Sequence, residues 1–154
     1  MSSDFMHARL SQDFAAALRA LMSPRIFSKG ATLYRQGDPA EGIYLLETGA
    51  VRVLLPLSEN QSQLLEVAGQ GAILGLSETL SGDHYRVTAE AEETTAALFA
   101  TGKKFVELID SRHEFCMQVL RLLSENLHGL YHRFRSVSAH PGRPRRRMLD
   151  EELN

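Results

Sequence analysis

The stretch GAILGLSETLSGDHYRVTAEA, residues 71–91, combines residue types that can receive a small anion. Gly71 and Gly75 permit tight backbone corners. Residues 76–80 predict one or two helical turns, whose first N–H groups and positive dipole end favour negative charge. Arg86 directly precedes an apolar strand, and an arginine that faces the same point would pair with a phosphate. The sequence therefore predicts an anion-receiving loop here.

Other groupings of chemistry-bearing residues are weaker. His128 and His132 form an i, i+4 pair on a predicted helix beside Glu125, a spacing that can bind zinc, but no third ligand is placed by the sequence. A metal-dependent cupin-type barrel enzyme stays open as an alternative, although the His-x-His pair of such enzymes is absent and His84 stands alone in a predicted turn. Cys116 has no neighbouring base and is predicted to be a core thiol. We therefore expect no metal site and no enzymatic activity.

Composition bounds the class of protein. The chain has 154 residues, of which 44% are hydrophobic and 23% charged, with a net charge of −2, as in a globular domain that is not basic enough overall for nucleic acid. A single cysteine excludes an internal disulfide. The first residues lack the apolar region of a signal peptide, and no run approaches 18 apolar residues. We expect a cytoplasmic protein with no membrane span.

Residues 25–100 predict the β-structure that must position the anion-receiving loop. Glycines at eight positions separate short apolar or alternating runs, which is typical of a β-sandwich or barrel. Ile43 to Leu46 are predicted to form a strand closed by a turn at Gly49, and residues 50–55 are predicted to return as its partner. Residues 58–62 predict a hairpin tip. Because Pro56 has no backbone N–H to donate, the end of the strand that leads to this tip is predicted to lie at the edge of a sheet.

Helices are predicted on both sides of this region, over residues 8–22, 103–111 and 112–136. In the longest helix one row of side chains, spaced 4, 3, 4, 3, 4, has the pattern of a coiled-coil seam. A second apolar row, Phe115, Val119 and Leu122, lies beside it, so we expect one row to meet the protein's own core and the other to form a homodimer. A single wide face on one core stays open as the alternative. The seam comprises Cys116, Leu120, Leu123, Leu127, Leu130 and Phe134.

Residues 30–55, GATLYRQGDPAEGIYLLETGAVRVLL, resemble the β-roll signature of cyclic-nucleotide-binding domains, and residues 71–91 lie where that family keeps its phosphate-binding cassette. The type is closest to bacterial regulators of the catabolite-activator and fumarate-nitrate class, and the resemblance covers about residues 8–136. It implies a mainly β fold with flanking α: a double-stranded β-helix (jelly-roll) β-roll with an N-terminal helix and a long C-terminal dimer helix. The domain would span residues 1–136, with the roll at 25–100 and the C-terminal helices at 101–136.

The cassette departs from the family pattern at its two polar anchors. Leu76 follows Gly75, where members that bind cyclic AMP have a glutamate, and the family's arginine falls at Tyr85. Arg86 would replace it only after a one-residue shift, which turns its side chain to the other face of the strand. Each lost charge-assisted hydrogen bond costs about 1.5–3 kcal/mol. The residues predicted to meet a ligand are Gly75, Leu76, Ser77, Glu78, Tyr85, Arg86 and Thr88.

Together these features predict a stand-alone regulatory sensor domain that acts in signal transduction or transcription-related regulation through a dimer. Its ligand would be a cyclic nucleotide (cAMP or cGMP) or another small anion, with ordinary cAMP binding altered or lost. Only about 18 residues follow Ser136, too few for the helix-turn-helix of such regulators, so we expect no DNA-binding domain of its own. Residues 137–154, with the basic cluster Arg143 to Arg147, predict a disordered tail. A ligand-free dimerisation module for an unknown protein partner is the alternative.

Overall fold

The structure, a computed structural model, describes the backbone of residues 10–138 and the side chains of residues 10–125. Short strands follow one another between an N-terminal helix and two C-terminal helices, with one short helix among them. In chain order the elements are α1 (Gln12–Ala20), β1 (Ser23–Phe27), β2 (Thr32–Tyr34), β3 (Gly42–Thr48), β4 (Val51–Ser58), β5 (Gln61–Ala68), β6 (Ile73–Leu74), α2 (Leu76–Ser81), β7 (Thr88–Ala91), β8 (Thr95–Thr101), α3 (Gly102–Ser111) and α4 (His113–Ser138).

The strands form two four-stranded antiparallel sheets, in the orders β1-β8-β3-β6 and β2-β7-β4-β5. One cluster of buried apolar and aromatic side chains, drawn from strands of both sheets, forms the core; it includes Leu46, Val51, Val53, Ala89 and Phe99. This arrangement confirms the predicted mainly β roll with an N-terminal helix and C-terminal helices.

The predicted pairing of β3 with β4 is wrong. β3 pairs with β6 and β8, whereas β4 pairs with β5 and β7, so the turn between β3 and β4 carries the chain from one sheet to the other. Gly49 in this turn has φ +95°, and a Cβ there would lie 2.4 Å from Thr95 Oγ1 and 2.6 Å from the Thr94 carbonyl oxygen. Glycine is required at this crossing both for its conformation and for space.

The predicted hairpin of residues 51–68 is confirmed as β4 and β5, with its tip at Glu59 and Asn60. β7 pairs with β4 only as far as Leu54, so Pro56 lies where β4 has β5 as its single neighbour, as an edge position requires. β5 is the last strand of its sheet, and all of its residues from Gln61 to Val67 are exposed.

Helices α1 and α3 each start at a side-chain cap and bury a narrow face. In α1 the Ser11 hydroxyl accepts a hydrogen bond from the Phe14 N–H, and Phe14 and Leu18 are buried. The prediction placed this helix at 8–22, of which residues 8 and 9 lie outside the described residues. In α3 the Thr101 hydroxyl caps Lys104 N–H, and Phe105 is the buried residue.

The chain divides into two compact units between Gln118 and Val119, within α4. The row Phe115, Val119 and Leu122, predicted to meet the core, is buried at 2–3% exposure. In the predicted seam Cys116 and Leu123 are half-buried and Leu120 is 52% exposed. The side chains of Leu127, Leu130 and Phe134, and all of residues 139–154, lie outside the described residues, so the homodimer and the disordered tail stay predictions.

Within the described part of the chain, no helix combines the length and apolar character needed to cross a membrane.

Candidate functional site

The predicted anion-receiving loop contains the short helix α2, held between two glycines. Gly75 caps its start with φ +81°, and Gly82 caps its end with φ +68°. A Cβ at Gly75 would lie 3.0 Å from Tyr85 Cε1 and 3.1 Å from the Gly42 carbonyl oxygen. The predicted helical turns at 76–80 are therefore confirmed as Leu76–Ser81. We call residues 75–88 the cassette segment.

Within α2 the predicted ligand-contacting residues face different surroundings. Leu76 is buried at 4% exposure, Ser77 is exposed and Glu78 is half-buried. A carboxylate oxygen of Glu78 accepts a hydrogen bond of 3.2 Å from the backbone N–H of Arg86. Glu78 therefore stabilises the backbone where the chain runs from α2 toward β7.

Arg86 lies on the outer surface of the cassette segment. Its side chain is 72% exposed, and Nη2 lies 3.3 Å from Asp83 Oδ2. The His84 backbone N–H donates to the other Asp83 oxygen at 2.7 Å. This backbone hydrogen bond, with the one from Arg86, lowers the pKa of Asp83 below its usual value. The positive charge of Arg86 thus has a partner at the surface.

Tyr85 lies in the core rather than at the surface. Its hydroxyl donates to the Gly42 carbonyl oxygen at 2.6 Å and accepts from the Gly42 N–H at 3.2 Å. Its ring stacks on Tyr34 with centroids 3.9 Å apart and an interplanar angle of 18°. Tyr34 in turn lies 5.9 Å from Tyr44. Burial raises the pKa of all three phenols, so each is neutral at physiological pH.

Thr88, the last predicted site residue, begins β7 and has a structural partner. Its hydroxyl oxygen accepts a hydrogen bond of 3.0 Å from the Gln36 N–H. The structure thus brings Gly75 against Tyr85, and Glu78 against the backbone of Arg86, but it buries Leu76 and Tyr85 while it exposes Ser77 and Arg86. That these residues contact a ligand stays a prediction.

Sequence reasoning passed over Tyr34 and Gly42, which hold Tyr85 in place. Each lies in a run that predicted a strand, but strand pairing across more than 40 residues leaves no local pattern. Among the residues described, no three His, Cys, Asp or Glu side chains cluster as metal ligands, and the side chains of His128 and His132 lie outside those residues.

Comparison with known proteins places these features in a family. The family model of the cyclic nucleotide-binding domain matches residues 24–112, more than half of the chain. Transcriptional activator protein FnrA of Stutzerimonas stutzeri is 28% identical over 116 residues, which are 75% of this chain and 47% of that protein. Glutaminase 1 of Bradyrhizobium diazoefficiens is 29% identical over 118 residues, 77% of this chain and 18% of that protein.

Solved structures share the fold. The crystal structure of the Thermus thermophilus catabolite activator protein superposes with a TM-score of 0.76, at 21% identity, over 86% of this chain and 62% of that one. This likeness shows the shared fold. The chain spans less than half the length of the two curated relatives.

Proposed function

This chain belongs to the cyclic nucleotide-binding domain family, and from that premise we propose that it is a cytoplasmic regulatory sensor domain that acts through a homodimer and whose binding of cyclic AMP is altered or lost. The observation that carries the second half of this proposal is the stack of Tyr85 on Tyr34, bonded to Gly42 at both backbone groups. Tyr85 belongs to the cassette segment, so this segment packs on the core through a buried aromatic ring.

The filled interior argues against an ordinary nucleotide. Tyr34 and Tyr85 are 6% and 4% exposed, and they belong to one cluster with Tyr44 and Phe99. A ligand that entered here would have to displace stacked rings and break the two hydrogen bonds to Gly42. Leaving those backbone groups unpaired costs about 1–3 kcal/mol each.

The charges of the cassette segment also argue against the binding of an ordinary cyclic nucleotide. A phosphate needs an arginine directed at it, but Arg86 is 72% exposed and paired with Asp83. Leu76, in the position of the family's glutamate, offers no acceptor and is buried. A change of ligand, to another small anion, would require Arg86 to leave Asp83.

Regulation rather than catalysis fits the family and its relatives. FnrA is named as a transcriptional activator, and the match to glutaminase 1 covers only 18% of that protein. In the mechanism we propose, contact of a ligand or partner with residues 71–91 shifts the equilibrium between two arrangements of the following helices. Such coupling requires unequal affinity for the two arrangements.

Calorimetric titration of the full chain with cyclic AMP and cyclic GMP tests the ligand half of the proposal. We expect no saturable heat below about 1 mM of either nucleotide, because two polar anchors are missing and the interior is filled. Saturable micromolar binding that is abolished by Arg86→Ala and unchanged in Arg35→Ala, an exposed arginine outside the cassette segment, would contradict it.

Sedimentation of the full chain tests the dimer half. We expect a dimer whose dissociation constant rises about tenfold or more in Leu120→Glu, because a charge would enter an apolar seam. Leu120 is 52% exposed, so its replacement leaves the core intact. Arg121→Ala, at the neighbouring exposed position, is the matched control and should leave the dimer unchanged. A wild-type monomer at high concentration would overturn this half.

A ligand-free dimerisation module for a protein partner is the second candidate, favoured by the same filled interior. The two functions differ in one measurement. A stable dimer that responds to no small anion in a thermal-shift screen supports the module, whereas a saturable shift with one of them supports the sensor.

A further inference from the structure

Two basic side chains, those of Arg25 and Lys104, line a cavity where α1 ends, β1 begins, β8 ends and α3 begins. Its volume is about 320 Å³, and its lining includes Met22, Ser23, Arg25, Phe99, Thr101 and Lys104. None of the described residues that line it carries a carboxylate, and none belongs to the cassette segment. The volume lies at the lower end of the range of small-ligand pockets, about 300–1,000 Å³.

Arg25 is held in place by contacts that leave most of its donors available. Its Cζ lies 3.9 Å from the centroid of the Phe99 ring, and its Nη1 donates to the Tyr44 hydroxyl at 3.3 Å. Among the described residues, no carboxylate oxygen lies within ion-pair distance of its guanidinium. An arginine has five N–H donors in a planar fork, which suits an oxyanion. Arg25 is therefore pre-organised without a counter-ion of its own.

The other polar groups of the cavity add a second cation and hydroxyl groups. Lys104 is exposed and forms no ion pair with the described carboxylates. Thr101 Oγ1 accepts from the Lys104 N–H at 3.3 Å, which leaves its hydroxyl hydrogen free to donate. The Gly102 N–H is already bonded to the Glu41 carbonyl oxygen at 2.9 Å. The cavity thus offers side-chain donors rather than the amides of a helix end.

We propose that this cavity binds a small organic phosphate. A phosphate group has enough acceptor oxygens to take the Arg25 fork, the Lys104 ammonium and the hydroxyls of Ser23 and Thr101 together. The apolar side chains at the end of α1, Leu21 and Met22, provide a surface for the carbon skeleton. This site goes beyond the function proposed above, because it shares no residue with the cassette segment.

Amide chemical-shift titration of the full chain with glycerol 3-phosphate tests the proposal. We expect saturable shifts at Ser23, Phe99 and Lys104, with a dissociation constant below about 1 mM and weaker binding at high salt. Lys104→Gln should weaken binding about tenfold or more, because it removes a charge-assisted hydrogen bond. Arg35→Gln, exposed and outside the cavity, is the matched control and should bind like the wild type.

Two further titrations separate the chemical sources. Inorganic phosphate should bind more weakly than glycerol 3-phosphate, and acetate more weakly still. Equal affinity for phosphate and its glycerol ester would overturn the organic part of the proposal. The absence of saturable shifts, equal shifts in Lys104→Gln, or shifts confined to residues 75–88 would overturn the site itself. Because Lys104 is exposed, Lys104→Gln tests the site while it leaves the contacts of Arg25 with Phe99 and Tyr44 in place.

Discussion

Replacing Tyr85 by alanine is expected to lower the free energy of unfolding by about 3–5 kcal/mol, the range for aromatic residues removed from a core. The ring is 4% exposed and stacks on Tyr34 at 3.9 Å, so its loss leaves a cavity in the core. Urea unfolding followed by circular dichroism measures the change.

Two further variants of this loop distinguish the contribution of the Tyr85 ring from that of its hydroxyl group and from a general effect of changing the loop. Tyr85→Phe keeps the stack but unpairs the carbonyl oxygen and N–H of Gly42, and we expect it to cost about 1–3 kcal/mol. His84→Ala changes the neighbouring exposed side chain and should stay within about 0.5 kcal/mol of the wild type. A loss below about 1 kcal/mol in Tyr85→Ala would mean that the ring is not part of the core, and it would remove the main support for a filled interior.

Gly49→Ala has the second large expected effect, a loss of about 2–5 kcal/mol. Positive φ costs a residue with a Cβ about 1–2 kcal/mol, and overpacking adds about 1–3 kcal/mol. Here φ is +95°, and the new Cβ would meet the Thr95 hydroxyl oxygen at 2.4 Å and the Thr94 carbonyl oxygen at 2.6 Å. Thermal unfolding by calorimetry gives the difference.

Gly30→Ala provides the matched control for this substitution. Gly30 has φ +87°, but nothing lies within 4 Å of the position that its Cβ would take. Only the conformational cost of about 1–2 kcal/mol remains there. If the two variants lose equal stability, the close approach of Thr94 and Thr95 to Gly49 does not contribute, and the steric part of the argument fails.

Local patterns were enough to predict most of the elements. Glycine spacing, apolar runs and the polar tip at 58–62 located the strands and the β4–β5 hairpin, and the 3.6-residue period located the helices. The pairing of β3 with β4 failed because consecutive strands pair more often than not, and that tendency was applied where the chain crosses between sheets. The crossing depends on the residues that surround Gly49. One of them, Thr95, is too distant in sequence for a local pattern to reveal the contact.

The candidate site was predictable in position but not in orientation. The sequence placed the short helix after Gly75 correctly, because glycine spacing is local. It could not assign Tyr85 to the core, since a tyrosine before a strand can face either way. The orientation of Tyr85 is fixed by the hydrogen bond between its hydroxyl and the backbone of Gly42, which lies 43 residues earlier in the chain. The basic cavity was missed for the same reason, because Arg25 and Lys104 are far apart in sequence.

The pairing of β1 with β8 has a consequence for how the protein is made. The first strand of the roll hydrogen-bonds to its last, and within that pair Phe27 lies opposite Thr95. A ribosome that adds roughly 5–20 residues per second needs about 3–14 s to synthesise the chain between them. During that interval β1 has no partner from its own sheet, and the roll closes only after nearly all of its strands exist. Folding therefore follows synthesis of the whole roll, and a nascent chain that pauses before β8 exposes an unpaired strand to other chains.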